Sequence, residues 1–241
     1  MANVTDHYEN LLADHYSWIH GELEPKVEEN KQFFTAYSLL PRSSKICIDL
    51  GAGPGFQALA LAQLGYSVTA VDTSQKLLGE LTANAANLAI TTKLQDMSDF
   101  VADNATPAEL YICMGDTLTH LPSFAQVKKL IKDVYTSLEK GGTFVLTFRD
   151  LVSELAELDR FIPVRSDHSS IFTCFLEYEP ETVKVHDLIY IKTEDGWDLK
   201  KSFYRKLRIS HQWVTDMLLQ AGFILDISTV YKGLVTIIAS K

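Results

Sequence analysis

The chain has 241 residues, with 22 Lys and Arg against 31 Asp and Glu, and so a formal net charge of −9. Its 46% apolar and 22% charged content is that of a folded globular protein, and it excludes disordered, collagen-like and disulfide-scaffold classes. At this length one α/β domain buries roughly 70–75% of the surface its unfolded chain exposes, so a core forms without covalent staples. An acidic chain with no Lys/Arg block lacks the counterion-release drive of general nucleic-acid binders, and its expected partner is a small molecule.

Cys47, Cys113 and Cys174 each stand alone in strand-like apolar runs, the pattern of buried reduced thiols. No apolar run approaches the roughly 18 residues of a membrane span. Asp6, Glu9 and Asp14 stand where a signal peptide would be basic, so the expectation is a chain that is mature from Met1, cytoplasmic and not membrane-bound.

In chain order, Asn3–Leu40 reads as helical, with Pro25 in the first turn of a second helix. Strands at 45–50, 66–71, 91–95, 109–114 and 143–148 then alternate with helices at 56–64, 75–88 and 124–138, which predicts a mostly parallel sheet covered on both faces. After Asp150 the pattern changes: a helix at 151–158 is followed by strands at 171–178, 182–193 and 197–207, with Asp195-Gly196 marking a tight hairpin. A helix at 210–221 closed by Gly222 and two strands hinged at 231–233 complete the chain. The fold class is α/β: a Rossmann-like doubly wound sheet with an antiparallel last strand, plus an inserted antiparallel three-stranded segment. The expected division is 1–41, a helical cover; 42–150, a ligand-binding core; 151–209, the insertion; and 210–241, completing the core. The inserted strands suit either a roof over an acceptor pocket or the face of a homodimer.

The glycine run Gly51-Ala52-Gly53-Pro54-Gly55 joins a strand to a helix, a turn that lets backbone N–H groups approach a nucleotide-type ligand. Asp72 follows Gly51 by 21 positions, at the end of the second strand, where a carboxylate accepts ribose hydroxyls. A dinucleotide fold wants a third glycine where Phe56 stands, and Asp49 carries the wrong sign for a pyrophosphate. That charge suits a ligand with a cationic head.

IDLGAGPGF followed by VTAVDTS resembles the first two motifs of class I S-adenosylmethionine-dependent methyltransferases, and the terminal hairpin is similar to that family's reversed last strand. The resemblance implies S-adenosylmethionine as cofactor. Gly51, Ala52, Gly53 and Gly55 would underlie its methionine part, with Asp49 orienting the loop and the amine. Asp72 and Thr73 would meet the ribose, Asp96 and Met97 the adenine, and Met114 the methionine amine, while Tyr16, with Tyr8 and Trp18, would lid the cofactor. The run GDTLTHLP is similar to a segment of glycine and sarcosine N-methyltransferases. It implies a small amine or amino-acid acceptor, with Arg149 holding a carboxylate and His120 or Asp116 taking the released proton. Asp116 and Asp150 lack a third oxygen ligand, so no metal is expected. The alternatives are an NAD(P)-dependent oxidoreductase and a non-catalytic protein that binds S-adenosylmethionine.

Overall fold

The computed structural model describes residues 4–241. Asn3, the expected first helical residue, lies outside them. The N-terminal run is α1 (Val4–His7), a π turn over Tyr8–Leu12, a 3-10 turn over Ala13–His15 and α2 (Tyr16–His20). Gly21, at φ 99°, breaks the run before α3 (Leu23–Ala36), which has Pro25 in its first turn. The core follows as β1 (Ile46–Leu50), α4 (Phe56–Gln63), β2 (Ser67–Asp72), α5 (Gln75–Asn84), β3 (Ile90–Leu94), α6 (Met97–Asp103), β4 (Ala108–Cys113), α7 (Phe124–Ser137) and β5 (Leu138–Arg149).

Beyond Arg149 come β6 (Phe161–Ser166), β7 (Ser170–Tyr178), β8 (Thr182–Thr193) and β9 (Gly196–Leu207), then α8 (His211–Ala221), β10 (Ile224–Tyr231) and β11 (Leu234–Ser240). The large sheet runs β10-β11-β5-β4-β1-β2-β3, and β6 to β9 form a separate antiparallel sheet. β1 pairs in parallel with both β2 and β4, and β11 runs antiparallel to β5 and β10. The strand order therefore reverses between β1 and β4, so that a ligand crevice opens at their carboxyl ends.

Period-2 alternation distributes the core over both faces. Phe144, Leu146 and Phe148 of β5 pack toward the helices α7 and α8 with Val127, Ile131 and Val214, whereas Val145 faces Leu59, Leu61 and Leu81 of α4 and α5. A third core lies on the inner face of the small sheet, where Phe172, Val183, Val185, Ile189 and Tyr204 bury Leu11 and Leu12 of the N-terminal run. Asp150 joins the two ends of the insertion, its Oδ2 accepting the His211 N–H at 2.9 Å.

Three expectations are corrected. The insertion has four strands, because β6 carries Pro163 on an edge strand, where a missing N–H removes no essential ladder bond. The helix expected at 151–158 is absent: the segment is extended apart from a 3-10 turn at Glu157–Arg160, and Leu158 is 80% exposed, so no apolar face pulls it into a helix. The β8–β9 turn consists of Glu194 and Asp195, with Gly196 already paired to Thr193. The final hairpin turns on Lys232 and Gly233, both at positive φ, which suits the twist of a two-residue connection.

Candidate functional site

The glycine loop leaves β1 through Gly51 at φ 77°, and the Gly51 and Ala52 N–H groups donate to the Val71 carbonyl at 2.8 and 3.0 Å. A Cβ on Gly51 would lie 2.2 Å from Thr117 Cγ2, so glycine is required for the β1 loop to meet the turn after β4. Gly55, at φ 95°, packs under Leu81 and opens α4. Asp72 fixes the loop from the next strand: Oδ2 accepts the Gly53 N–H and Oδ1 the Ser74 N–H, each at 2.8 Å. Burial raises the Asp72 carboxyl above its usual range, and these backbone donors offset part of that rise.

A cavity of about 130 Å³ opens here. The sequence-derived residues Tyr16, Gly51, Gly53, Asp72, Thr73, Asp96, Met97 and His120 line it, together with Tyr8, Gln95 and Thr117. Asp96 also caps α6, accepting the Ser98 N–H at 2.8 Å. The N-terminal run forms one wall and is held down by polar contacts: Thr5 to Thr73 at 3.3 Å, Ser74 Oγ to Glu9 at 2.5 Å, and Lys76 to Asp14 at 2.7 Å.

Asp49, Ala52, Gly55 and Met114 stand behind this wall, all buried. Asp49 Oδ2 is buried without a hydrogen-bond partner, and burial followed by the nearby Asp72 charge pushes the Asp49 carboxyl up to about 8. An orphaned carboxylate beside the glycine cradle fits a ligand with a cationic head and hydroxyls, and it opposes a pyrophosphate.

The far end of the cavity is aromatic. His120 closes a 3-10 turn at Thr117–His120; its Nε2 lies 3.4 Å from Tyr8 Oη, and its ring stacks on Tyr204 at 5.3 Å. Burial, and then the Lys206 charge, lower the imidazole to about 3, so the ring is neutral at physiological pH. Two expected partners are not brought to the cavity. Asp116 is turned away: it pairs with Lys206 through Oδ2 and accepts the Arg149 N–H through Oδ1 at 2.9 Å. Burial raises its carboxyl, but Lys206 and the Arg149 N–H outweigh that and hold it below the usual range, which makes it a poor proton acceptor. Arg149 contributes that backbone N–H, while its side chain is exposed and outside the cavity lining.

Sequence reasoning missed Lys206 and the buried pair of His7 Nε2 with Asp187 Oδ2 at 2.8 Å. The alternation of Tyr204 and Lys206 on one face of β9 was the available signal for the first. Among the described residues, no group of three or more His, Cys, Asp or Glu is placed to hold a metal ion.

Residues 47–142 match the family of methyltransferase domains. A glycine/sarcosine N-methyltransferase of Aphanothece halophytica is 25% identical over 151 residues, covering 61% of this chain and 57% of the relative. The CcbJ methyltransferase of Streptomyces caelestis has the same fold, with a TM-score of 0.80 at 21% identity over 96% of both chains. So does an S-adenosylmethionine-dependent methyltransferase from Clostridium acetobutylicum, with a TM-score of 0.76 at 16% identity over 97% of this chain and 98% of that one. The sheet order, with its antiparallel last strand, is the fold of these methyltransferases. The similarity to methyltransferase domains lies in residues 47–142, and the chain spans little more than half the length of the curated N-methyltransferases it matches, 57% and 53%.

Proposed function

We propose that the chain transfers a methyl group from S-adenosylmethionine to the nitrogen of a small amine. The observation that carries this reading is the half-buried imidazole of His120 at the end of the cofactor cavity, packed against the rings of Tyr8 and Tyr204. The likeness to a glycine/sarcosine N-methyltransferase supports nitrogen as the acceptor atom. When bound, S-adenosylmethionine supplies a methyl carbon on a cationic sulfur, and the C–S electron pair returns to sulfur as the acceptor's lone pair forms the new C–N bond.

The chain's own residues do the positioning. Gly51 and Gly53 permit close backbone approach, and of the other lining residues Asp72 and Thr73 would hold the ribose, and Asp96 and Met97 the base. Asp49 stands behind the loop with its carboxyl raised by burial, where a cationic head in the cavity would favour its ionised form. At the acceptor end, uncharged His120 receives a hydrogen bond from the amine N–H, which aligns the lone pair with the incoming methyl. The aromatic walls of Tyr8 and Tyr16, with Tyr204 packed behind Tyr8 and His120, exclude water and favour the alkylammonium product through their ring faces. A carboxylate on the acceptor is not required, since the Arg149 side chain lies outside the cavity lining.

The test is a radiolabelled methyl-transfer screen over small primary and secondary amines, glycine and sarcosine among them. Turnover of at least one amine is expected, with His120→Ala lowering kcat about 100-fold at unchanged cofactor affinity. Tight cofactor binding with no amine turned over would instead favour a non-catalytic binding protein.

A further inference from the structure

The small sheet meets the turn that carries His120 through the Tyr204 ring and through an ion pair at the start of that turn. Lys206 of β9 reaches Asp116, and both side chains are nearly out of solvent, at 14% and 11% exposure. Asp116 adopts φ 75°, a left-handed conformation that Asp tolerates, and this swings its carboxylate toward β9. Asp116 and His120 bracket a single turn, pinned where the Thr119 hydroxyl donates to the Asp116 carbonyl at 2.7 Å. The Tyr204 ring bridges the groups, 5.7 Å from Lys206 Nζ and 5.3 Å from the imidazole centroid.

The charged and titratable groups facing His120 are therefore few. Asp116 comes from its own turn, Lys206 and Tyr204 from β9, and Tyr8 and His7 from the N-terminal run, with His7 already paired to Asp187. Without Lys206, a lone buried carboxylate would stand four residues from a half-buried imidazole. The low-energy state of such a pair is imidazolium with carboxylate. Both imidazolium nitrogens donate, so the ring could no longer accept from an amine N–H.

We propose that Lys206 is a positioning residue which, by pairing with Asp116, keeps His120 an uncharged hydrogen-bond acceptor for the incoming amine. The proposal rests on the reading of the site as an amine methyltransferase. Lys206 touches neither substrate nor cofactor; it supplies the positive charge that the turn would otherwise take up as a proton on His120.

Histidine-selective NMR on the full-length protein tests this without requiring turnover. The His120 signal, identified by its loss in His120→Asn, is followed from about pH 4 to about pH 9. In the wild-type chain it is expected to stay neutral across that range. In Lys206→Met its midpoint rises by about 4 units, so that the ring is substantially charged at neutral pH, and Lys206→Gln, which keeps a hydrogen bond to Asp116 and guards against misfolding, behaves alike. Lys206→Arg keeps the wild-type behaviour, and Lys206→Met combined with Asp116→Asn returns the midpoint downward. In turnover, the acid limb of kcat/KM moves with the midpoint, about tenfold per unit below it, while the alkaline side is unchanged. A midpoint that stays put in both Lys206→Met and Lys206→Gln, or a uniform loss of rate with an unchanged pH profile, overturns the proposal. A shifted midpoint with no amine turned over supports the role of Lys206 and sinks the amine reading instead.

Discussion

The two ends of the cavity are built by different means. The cofactor end is backbone: a glycine turn, the ends of parallel strands and two carboxylates tied to N–H groups, all on one rigid sheet. The acceptor end is side chain, assembled from three separate parts of the chain: the irregular N-terminal run, the turn after β4 and the face of β9. Backbone geometry tolerates little substitution, whereas a side-chain wall accepts change without loss of fold. One scaffold can thus keep its cofactor and alter its acceptor.

Substitutions at each end sharpen that contrast. The largest effect belongs to Asp72→Ala, which removes a carboxylate that both tethers the loop and lines the cavity. Calorimetry is expected to show affinity for S-adenosylmethionine falling about 100-fold or more. Next comes Gly51→Ala, since its φ of 77° and the 2.2 Å approach to Thr117 penalise any Cβ. Urea unfolding is expected to show a loss of about 2–3 kcal/mol, partly restored by adding Thr117→Ala.

Asp49→Asn has a smaller and pH-dependent consequence. Burial and Asp72 raise the folded-state carboxyl to about 8, so the folded protein holds a proton there that the unfolded chain releases near the usual carboxylate range. This group's contribution to stability is full at low pH and lost as pH climbs toward that raised value. The variant is therefore expected to melt about 2–6 °C above wild type at alkaline pH and to match it near pH 4, while binding the cofactor less tightly. The smallest effect is Arg149→Ala at the acceptor end: with its side chain exposed, kcat/KM for an amine should change by less than about threefold. A loss far beyond that would bring the guanidinium back into the acceptor site.

The same division governed what could be read from the sequence. Asp49, the glycines and Asp72 announce themselves because a strand, a tight turn and a helix must follow one another within a few residues, a local constraint written in local spacing. β6 was lost because Pro163 and its exposed neighbours carry no alternating apolar pattern, and the helix expected at 151–158 mistook scattered leucines for a buried stripe. Arg149 and Asp116 were placed at the correct strand ends, yet the direction of a side chain at a strand end depends on what meets it. Here the carboxylate meets Lys206, 90 residues away in sequence, and no local pattern encodes that distance.

The hydrogen bond between Asp150 and the start of α8 has a meaning beyond its own strength. It brings together the exit and re-entry points of a segment of about sixty residues, separated by 61 positions in sequence and by 2.9 Å in space. A segment whose ends meet at one point can be lengthened or shortened without re-threading the sheet beneath it, provided that Tyr204 and Lys206 keep their contacts with the turn after β4. The inserted segment is in this sense a cartridge. A chimera that keeps Asp150, Tyr204, Lys206 and His211 and imports other residues between them should keep its affinity for S-adenosylmethionine while changing which acceptor is methylated.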